Sequence, residues 1–396
     1  MAVMGAEAMA PEHAVTLTPA AGAPLRVGLV GCGRIGFLLE DDPLRGHPCT
    51  HAGALEHVAG VRLVALCDID AERLAECGRR YNLSRLYESW EEMLRRETLD
   101  LLIVASWTST HVPIVLAACD AGVRGVLCEK PIALDVASGR LAVERCAQAG
   151  VRLVVNHERR FDARYQQARA LIAEGVIGDV RTAVANVLCR RWAVGNWKDH
   201  IELSGGGPLL HDGTHLLDAL RFLIGELSWV AADVEWPDGS GIETTARVLL
   251  RFASGAGGFL EGGGDRRYFN FEVDVQGSLG RLRIGNGILS LETTAPSQRY
   301  TGFEDLVPVE FPAVPAGARS PWVAAVEELV DCVQTGREST SSGADGLAAL
   351  EAITAIYRSG RRGGCRVALP LAADDGGGEG ATRGTASPPL PARTSD

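Results

Sequence analysis

Short apolar runs alternate with helix-length segments in the first part of the chain. Runs of strand length lie at 25–30, 61–67, 101–106, 125–128 and 151–156. Segments of helical length separate the later runs, at 111–121 and 136–149. Strands that are interleaved with helices in this way predict a parallel, doubly wound α/β sheet.

The pattern changes after Arg160. A helix is predicted at 163–174, and strand-like runs then follow closely, separated by turns that contain Gly or Asp. These runs lie at 180–188, 229–235, 244–252, 258–262, 271–276 and 280–284. Their close succession favours a largely antiparallel sheet, and two last helices, at 321–334 and 343–359, are expected to cover one of its faces.

The first strand ends in a complete G-x-G-x-x-G motif, Gly31-Cys32-Gly33-Arg34-Ile35-Gly36. In such a motif the first Gly permits a tight turn, the second lets the backbone approach a pyrophosphate, and the third lets a helix pack closely. Asp68 follows the second strand, where an acid binds the adenosine ribose and disfavours a 2′-phosphate. This stretch predicts a Rossmann domain that binds NAD, with NADP as the alternative cofactor.

The segment between the motif and Asp68 is longer than usual. Pro43 disfavours a helical conformation at Asp42, so the first helix is expected to end near Glu40. A polar loop at 41–50 then precedes a second helical piece at 51–58. We interpret this loop as an insertion beside the cofactor or substrate cleft.

A chain of 396 residues more naturally forms two domains than one. We expect a Rossmann domain at 25–158 and a second α/β domain at 159–370, with a large, mostly antiparallel open sheet. Residues 1–24 are rich in Ala, Pro and Gly, and 371–396 are of low complexity. Both ends are therefore predicted to be disordered tails.

Composition narrows the partners and the compartment. The net charge is −11, and no apolar run reaches the length of a membrane span, so neither nucleic acid nor membrane is an expected partner. The N-terminus lacks a basic region followed by an apolar core, which a secretory signal requires. Ten cysteines are scattered without a C-x-x-C pair, which favours free thiols in a reducing cytoplasm.

Motifs along nearly the whole length between the tails resemble the glucose–fructose oxidoreductase/inositol dehydrogenase (Gfo/Idh/MocA) family. They are GCGRIG, Cys67-Asp68, Glu129-Lys130-Pro131, Asn156 through Asp162, Glu174 through Gly178, GGGPLLHDGTHLLD from Gly205, and Gly343 through Gly346. The resemblance implies NAD(P)-dependent oxidation or reduction of sugars and polyols. It also implies a second domain whose open sheet often serves oligomerisation, so we expect a homodimer or homotetramer.

Lys130 is the first candidate catalytic residue. It lies at the carboxyl end of a predicted parallel strand, where open α/β sheets present ligand-binding groups. An ammonium placed there can bind the substrate oxygen and stabilise developing alkoxide charge. The alternative is an ordinary surface lysine.

The segment GGGPLLHDGTHLLD predicts a glycine loop followed by one helix that begins near Pro208. On such a helix His211, Asp212 and His215 share a face. We expect His215 to accept the carbinol proton as hydride leaves for the nicotinamide. In the family the acid that partners this base lies four residues before it, a position that His211 occupies here.

Several roles are therefore open for the two residues before the base. Asp212 orients His215 from a shifted position, or His211 contacts the substrate hydroxyls itself. A purely structural pair and a metal site are further alternatives, although no fourth ligand has an obvious spacing and no metal is expected.

The resemblance places nicotinamide and ribose contacts in the segment Ser106-Trp107-Thr108 to His111, with Glu129 beside Lys130. Trp107 is expected to stack on the cofactor or simply to pack. Arg160 is expected at the domain junction or in contact with the substrate.

A polar and aromatic cluster precedes the predicted helix and consists of Trp192, Asn196, Trp197, Lys198 and His200. Trp197 and Lys198 are its candidate substrate contacts, with loop packing as the alternative interpretation.

We expect an enzyme that transfers hydride between nicotinamide and a secondary alcohol or ketone of a sugar, sugar derivative or cyclitol. An NAD-dependent glycosidase of the same family, which oxidises, eliminates and re-reduces, is one alternative. A regulator that senses a nucleotide or sugar without catalysis is another. The presence of both Lys130 and His215 argues against the regulator.

Overall fold

The computed structural model describes residues 22–190, 197–237, 239–314 and 317–372. Six parallel strands form its first sheet: β1 (Leu25–Val30), β2 (Val61–Cys67), β3 (Leu86–Tyr87), β4 (Leu101–Val104), β5 (Gly125–Cys128) and β6 (Arg152–Val155). The strand order is β3-β2-β1-β4-β5-β6, that of a doubly wound dinucleotide-binding sheet. The predicted fold of this part is confirmed.

Helices connect these strands: α1 (His51–Leu55), α2 (Ala71–Arg80), α3 (Trp90–Arg96), α4 (Thr108–Asp120) and α5 (Val136–Ala149). Local signals set the ends of α5. The Asp135 side chain accepts a hydrogen bond from the backbone N–H of Ser138, and Gly150 ends the helix in the left-handed conformation. The predicted bounds of this helix are confirmed.

The helix that was expected to follow the glycine motif is reduced to a turn. A 3₁₀ turn at Leu38–Asp41 comes next, and the chain then leaves the helix axis. The first N–H groups of α1 return to that axis, because His51 and Ala52 donate to the carbonyls of Ile35 and Gly36 at 3.1 and 3.0 Å. Residues 37–50 therefore form an excursion from an otherwise continuous helix.

Nine strands form the second sheet: β7 (Val180–Leu188), β8 (Leu227–Glu235), β9 (Thr245–Phe252), β10 (Gly257–Gly263), β11 (Asn270–Gly277), β12 (Gly280–Gly285), β13 (Leu289–Pro296), β14 (Glu304–Val309) and β15 (Val367–Ala368). Their order is β14-β13-β12-β11-β7-β10-β9-β8-β15. Among the described strands of this second sheet, only the β7–β10 pairing is parallel. The mostly antiparallel sheet is confirmed, and β13, β14 and β15 are strands beyond the six that were predicted.

The remaining helices are α6 (Ala163–Ala173), α7 (Ile201–Ser204), α8 (Pro208–His211), α9 (Gly213–Ile224), α10 (Pro321–Thr335) and α11 (Gly343–Arg361). The prediction that α10 and α11 cover one face of the second sheet is wrong for α10. Val323, Val326 and Leu329 of α10 pack in the same core as Leu29 of β1. Helix α11 packs against β8 and α5, so it contacts both halves of the chain.

The domain bounds at 25–158 and 159–370 remain a prediction, and the predicted tails fall almost entirely outside the described residues. None of the helices in the described part of the chain combines the length and apolar character that a membrane span requires. All ten cysteines lie in the described ranges as free thiols, and nine of them are buried.

Candidate active site

The glycine motif folds as its spacing predicts. Gly31 has φ +98°, and a Cβ there would lie 2.5 Å from the Ala105 backbone. A Cβ at Gly36 would lie 1.9 Å from the Gly31 carbonyl oxygen. A Cβ at Gly33 would meet one described atom, Arg73 Nη1 at 3.7 Å, so this side of the loop is open. Two glycines are needed for packing, and the third leaves room for a phosphate.

Asp68 connects the second strand to this loop. Its Oδ2 accepts a hydrogen bond from the backbone N–H of Cys32 at 2.7 Å, and its Oδ1 accepts one from Asp70 at 2.9 Å. Arg73 Nη1 lies 3.9 Å from Asp68 Oδ2. The buried carboxylate thus lies beside the open glycine, where the loop and the acid fit the phosphates and ribose of a dinucleotide.

Glu129 and Lys130 follow β5 directly. Glu129 Oε1 accepts from Asn156 Nδ2 at 2.7 Å and lies 2.9 Å from His51 Nε2. Burial raises the pKa of Glu129, but the hydrogen bond and charge of His51, together with Lys130, lower it further than burial raises it. Lys130 Nζ donates to the carbonyl oxygen of His211 at 2.7 Å. Glu129 therefore connects the end of β5 to α1 and to the residue after β6, and Lys130 contacts α8.

The predicted single helix from Pro208 is wrong in one respect: the structure divides it at Asp212 into α8 and α9. The side chains of His211 and His215 consequently have different neighbours. The His211 ring contacts the Trp197 ring edge-on, with centroids 5.4 Å apart. His215 lies instead beside Glu158, which directly follows His157 after β6.

His215 has the environment of a neutral base. Its Nδ1 lies 2.9 Å from Glu158 Oε2, and the side chain of His215 is 11% exposed. Burial lowers the pKa of His215, and Lys130 lowers it further, while Glu158 raises it in part. Burial raises the pKa of Glu158, but His215 and Arg159 lower it to a value well below its usual range. The pair is therefore a carboxylate beside a neutral imidazole.

Glu158 was not predicted as a site residue. It lies in the stretch Asn156 through Asp162 that carries the family resemblance, but its sequence separation from His215 gives no spacing signal. The contact depends on how the two halves of the chain pack together.

Arg160 is committed to protein groups. Its guanidinium donates to both carboxylate oxygens of Asp218 at 2.8–3.0 Å and to the Thr340 carbonyl at 2.7 Å, and it lies 3.1 Å from Asp345. Burial lowers the pKa of neighbouring His157 to about 4. Arg160, in the 3₁₀ turn Glu158–Phe161, thus joins this turn to α9 and α11.

The residues that follow β4 were predicted to contact the nicotinamide and ribose, and their side chains have different surroundings. Trp107 stacks on Trp197, with ring centroids 6.3 Å apart. Ser106 Oγ and Thr110 Oγ1 are 2.7 Å apart. Buried His111 places Nδ1 2.8 Å from the Pro131 carbonyl and Nε2 3.1 Å from the Ser106 carbonyl. Thr108 is also buried. Trp107 thus packs against Trp197, whereas buried His111 connects the segments that follow β4 and β5.

Lys198 lies near Lys130, and these two are the only lysines in the chain. Burial lowers the pKa of Lys198 to about 8, Asp212 opposes this change, and Lys130 and Arg34 add to it. Asp212, Lys130 and Arg34 are therefore close enough to Lys198 to affect its charge. His200 is directed instead toward Glu202, 3.4 Å away, and Trp192 and Asn196 lie outside the described residues.

The cleft can therefore stabilise an oxyanion and move a proton beside a dinucleotide loop. These properties define an NAD-dependent oxidoreductase with a Rossmann domain. Residues 25–157 match the family model of oxidoreductases with an NAD-binding Rossmann fold, and residues 165–283 match the GFO/IDH/MocA C-terminal domain. The chain belongs to the Gfo/Idh/MocA oxidoreductase family.

Curated relatives include a D-apiose dehydrogenase of Paraburkholderia graminis, 29% identical over 329 residues, which are 79% of this chain and 84% of that protein. A myo-inositol 2-dehydrogenase of Thermotoga maritima is 29% identical over 273 residues, 66% of this chain and 75% of that protein. Among solved structures, the WlbA dehydrogenase of Bordetella pertussis in complex with NADH and UDP-GlcNAcA has a TM-score of 0.72 at 26% identity, covering 89% of this chain and all of that one.

Proposed function

We propose that the enzyme oxidises a secondary alcohol of a sugar or cyclitol with NAD, or reduces the corresponding ketone. One observation carries the proposal: Lys130, at the end of β5, donates to the His211 carbonyl of the segment that leads to His215, and the charge of Lys130 lowers the pKa of His215. The named relatives act on sugars and inositols, which supports this substrate class. They give no support to a glycosidase or to a regulator without catalysis.

Lys130 is proposed to stabilise the reacting oxygen. Its ammonium has three donors, and one of them is held by the His211 carbonyl. The remaining N–H groups are available to the substrate oxygen, on which negative charge develops as its proton and the carbon-bound hydride leave. A fixed ammonium in a half-buried cleft stabilises this charge more in the transition state than in the ground state.

His215 is proposed to move the proton. Glu158 lies at Nδ1, so Nε2 is the nitrogen that can accept the hydroxyl proton. The carboxylate also stabilises the imidazolium that forms. Bound nicotinamide supplies the hydride acceptor, and the residues that would hold the dinucleotide are Gly31-Cys32-Gly33-Arg34-Ile35-Gly36, Asp68, Ser106, Trp107 and Thr108, with Glu129 bracing the site.

Trp197, Lys198, His211 and Asp212 are proposed to bind the substrate on the far side of the reacting carbon. The stacked rings of Trp107 and Trp197 suit the apolar face of a sugar ring. Lys198 and His211, whose ring contacts Trp197, can bind the hydroxyls of that sugar or an acidic substituent. His211→Asn distinguishes the remaining alternatives. A loss of kcat as deep as that of His215→Asn makes His211 catalytic, whereas a higher KM alone makes it a substrate contact.

A thermal-shift screen of neutral sugars, sugar acids, nucleotide sugars and inositols tests the substrate class. Each compound is tested with NAD and with NADP, and compounds that raise the Tm are then assayed for formation of the reduced cofactor. A sugar or cyclitol that both raises the Tm and reduces NAD supports the proposal. Substrates from unrelated alcohol classes, with no turnover of any sugar or cyclitol, contradict it.

Asp68 is expected to set the preference for NAD over NADP. A buried carboxylate beside the loop repels a 2′-phosphate, and Arg73, 3.9 Å away, would attract that phosphate once the carboxylate is removed. Asp68→Ala should shift the ratio of kcat/KM for NAD to that for NADP toward NADP by roughly tenfold or more, which corresponds to about 1.4 kcal/mol. Exposed Glu72, on the same helix as Arg73, provides the control variant Glu72→Ala, which should keep the ratio. A wild-type enzyme that prefers NADP would refute this role.

We also propose a homodimer or homotetramer formed through the outer face of the second sheet. Leu249 and Phe259 are 47% and 54% exposed and lie directly opposite each other on β9 and β10. Such an apolar surface favours a second copy. Light scattering should show an oligomer that Phe259→Arg dissociates and that Leu141→Arg, on exposed α5, leaves intact. A wild-type monomer at micromolar concentration would contradict this proposal.

The ten free thiols support our further proposal of a reducing, cytoplasmic compartment.

A further inference from the structure

The excursion at residues 37–50 brings together three side chains of metal-binding type. Glu40, His47 and Cys49 each contribute one ligand atom, and these atoms all lie within 4.8 Å of one another. His47 Nδ1 is 3.3 Å from Glu40 Oε1 and 3.7 Å from Cys49 Sγ. The three residues lie outside the catalytic cleft, and nothing in the proposed reaction uses them.

These spacings match those of ligands around one tetrahedral ion. Zinc binds carboxylate oxygen and imidazole nitrogen at about 2.0–2.2 Å and thiolate sulfur at about 2.3 Å. Tetrahedral angles then separate the ligand atoms by roughly 3.3–3.6 Å, close to the two separations in the structure. We propose that Glu40, His47 and Cys49 bind a zinc ion, with a water molecule as the fourth ligand.

The surroundings of each side chain support this arrangement. Glu40 Oε2 accepts from the Cys49 N–H at 3.1 Å and from Thr50 Oγ1 at 2.6 Å, so the carboxylate is fixed and Oε1 is directed toward His47. Cys49 is buried, whereas the His47 side chain is 41% exposed and gives the ion a path from solvent. The site therefore has a rigid inner side and an open outer side.

Charge also favours a cation at this point. The Glu40 carboxylate, which accepts a hydrogen bond from the Cys49 N–H at 3.1 Å, disfavours a second negative charge on the Cys49 sulfur. A bound dication reverses this effect, because it stabilises the thiolate and offsets its repulsion with Glu40. Zinc binding would release the Cys49 proton to solvent. The hydrogen bond that Sγ donates to the Leu39 carbonyl at 3.1 Å would then be lost.

The ion would hold the excursion in place. Residues 37–50 leave and rejoin the same helix axis, and Ser320 Oγ of the segment before α10 donates to the Pro48 carbonyl at 2.7 Å. Thr50, which receives its fixed position from Glu40, caps α1, and α1 carries His51 to Glu129. Zinc would thus stabilise the loop between the glycine motif and α1, the helix that carries His51 to Glu129.

Zinc binding to the untagged full-length chain tests this site without any assay of activity. Isothermal titration with Zn²⁺ after chelator treatment should give one equivalent per chain, and Co²⁺ should give the near-ultraviolet charge-transfer band of a thiolate ligand. Cys49→Ser should abolish that band, and His47→Gln should weaken zinc binding at least tenfold. The exposed residues Cys365 and His57 provide matched controls, since Cys365→Ser and His57→Gln should bind as the wild type does.

Two results would overturn the zinc site. One is a wild-type chain that binds no zinc, and the other is equal binding by the wild type and by His47→Gln. Because the His47 side chain is 41% exposed whereas Cys49 is buried, the His47 variant should fold even if Cys49→Ser does not. Neither result bears on the NAD-dependent reaction, so the two proposals fail independently.

Discussion

Lys130→Met is expected to lower kcat by roughly 10²–10⁴-fold, the range for a group that stabilises transition-state charge. Methionine keeps much of the volume of the lysine stem but removes the ammonium that reaches from β5 to the His211 carbonyl. NAD affinity should change little, because the glycine loop and Asp68 carry most of it. Steady-state kinetics, with NAD binding measured separately by fluorescence titration, provide the test.

The second lysine of the chain supplies the matched comparison. Lys198 is close enough to Lys130 for their charges to interact, but it is proposed to bind the substrate away from the reacting oxygen. Lys198→Met should therefore raise KM with a much smaller change in kcat. If Lys198→Met loses kcat as deeply as Lys130→Met, or if Lys130→Met keeps nearly normal kcat, the assignment of Lys130 fails.

His215→Asn is expected to lower kcat by roughly 10²–10⁴-fold, because the base that accepts the hydroxyl proton is lost. Glu158→Gln should give a smaller loss, roughly tenfold, since the base remains but its orienting carboxylate does not. The matched control is Glu174→Gln, at the exposed residue directly after α6, which should behave as the wild type does.

The pH profile distinguishes the role of Glu158 from a structural one. In the oxidation direction His215 must be neutral, so kcat/KM should fall as the pH drops through the lowered pKa of His215. Glu158 raises that pKa in part, so Glu158→Gln should move the acid limb to lower pH. An acid limb that stays in place in Glu158→Gln contradicts the role of Glu158. Near-normal kcat in His215→Asn, with an inactive Asp212→Asn or His211→Asn, contradicts the assignment of His215 as the base.

Much of the fold could be predicted because its signals are local. The apolar runs, the glycine motif and the cap residues around α5 act over a few residues and set the parallel sheet directly. Strands β13 and β14 could not be predicted in this way, because only one of their side chains is buried and no alternation of buried and exposed positions marks them. The position of α10 on the first sheet depends on long-range packing, which its amphipathic pattern does not encode.

The site divides along the same line. Lys130 and His215 could be predicted because motifs mark them, and their catalytic roles remain predictions. The break at Asp212 could not, since helical spacing does not show that Lys130 ties the His211 carbonyl across to β5. The contact of Glu158 with His215 could not be predicted either, because the spacing of the two residues in the sequence follows no helix or strand period. The same is true of the cluster formed by Glu40, His47 and Cys49.

Cofactor stoichiometry tests the central claim most directly. With a sugar or cyclitol identified by thermal shift, NADH formation and product are quantified together in the wild type and in Lys130→Met. The proposed hydride transfer predicts one NADH for each ketone formed, with the rate lost in the variant. Product that accumulates by cleavage of a glycoside with no net NADH, or binding of sugar and NAD with no turnover at all, would contradict it.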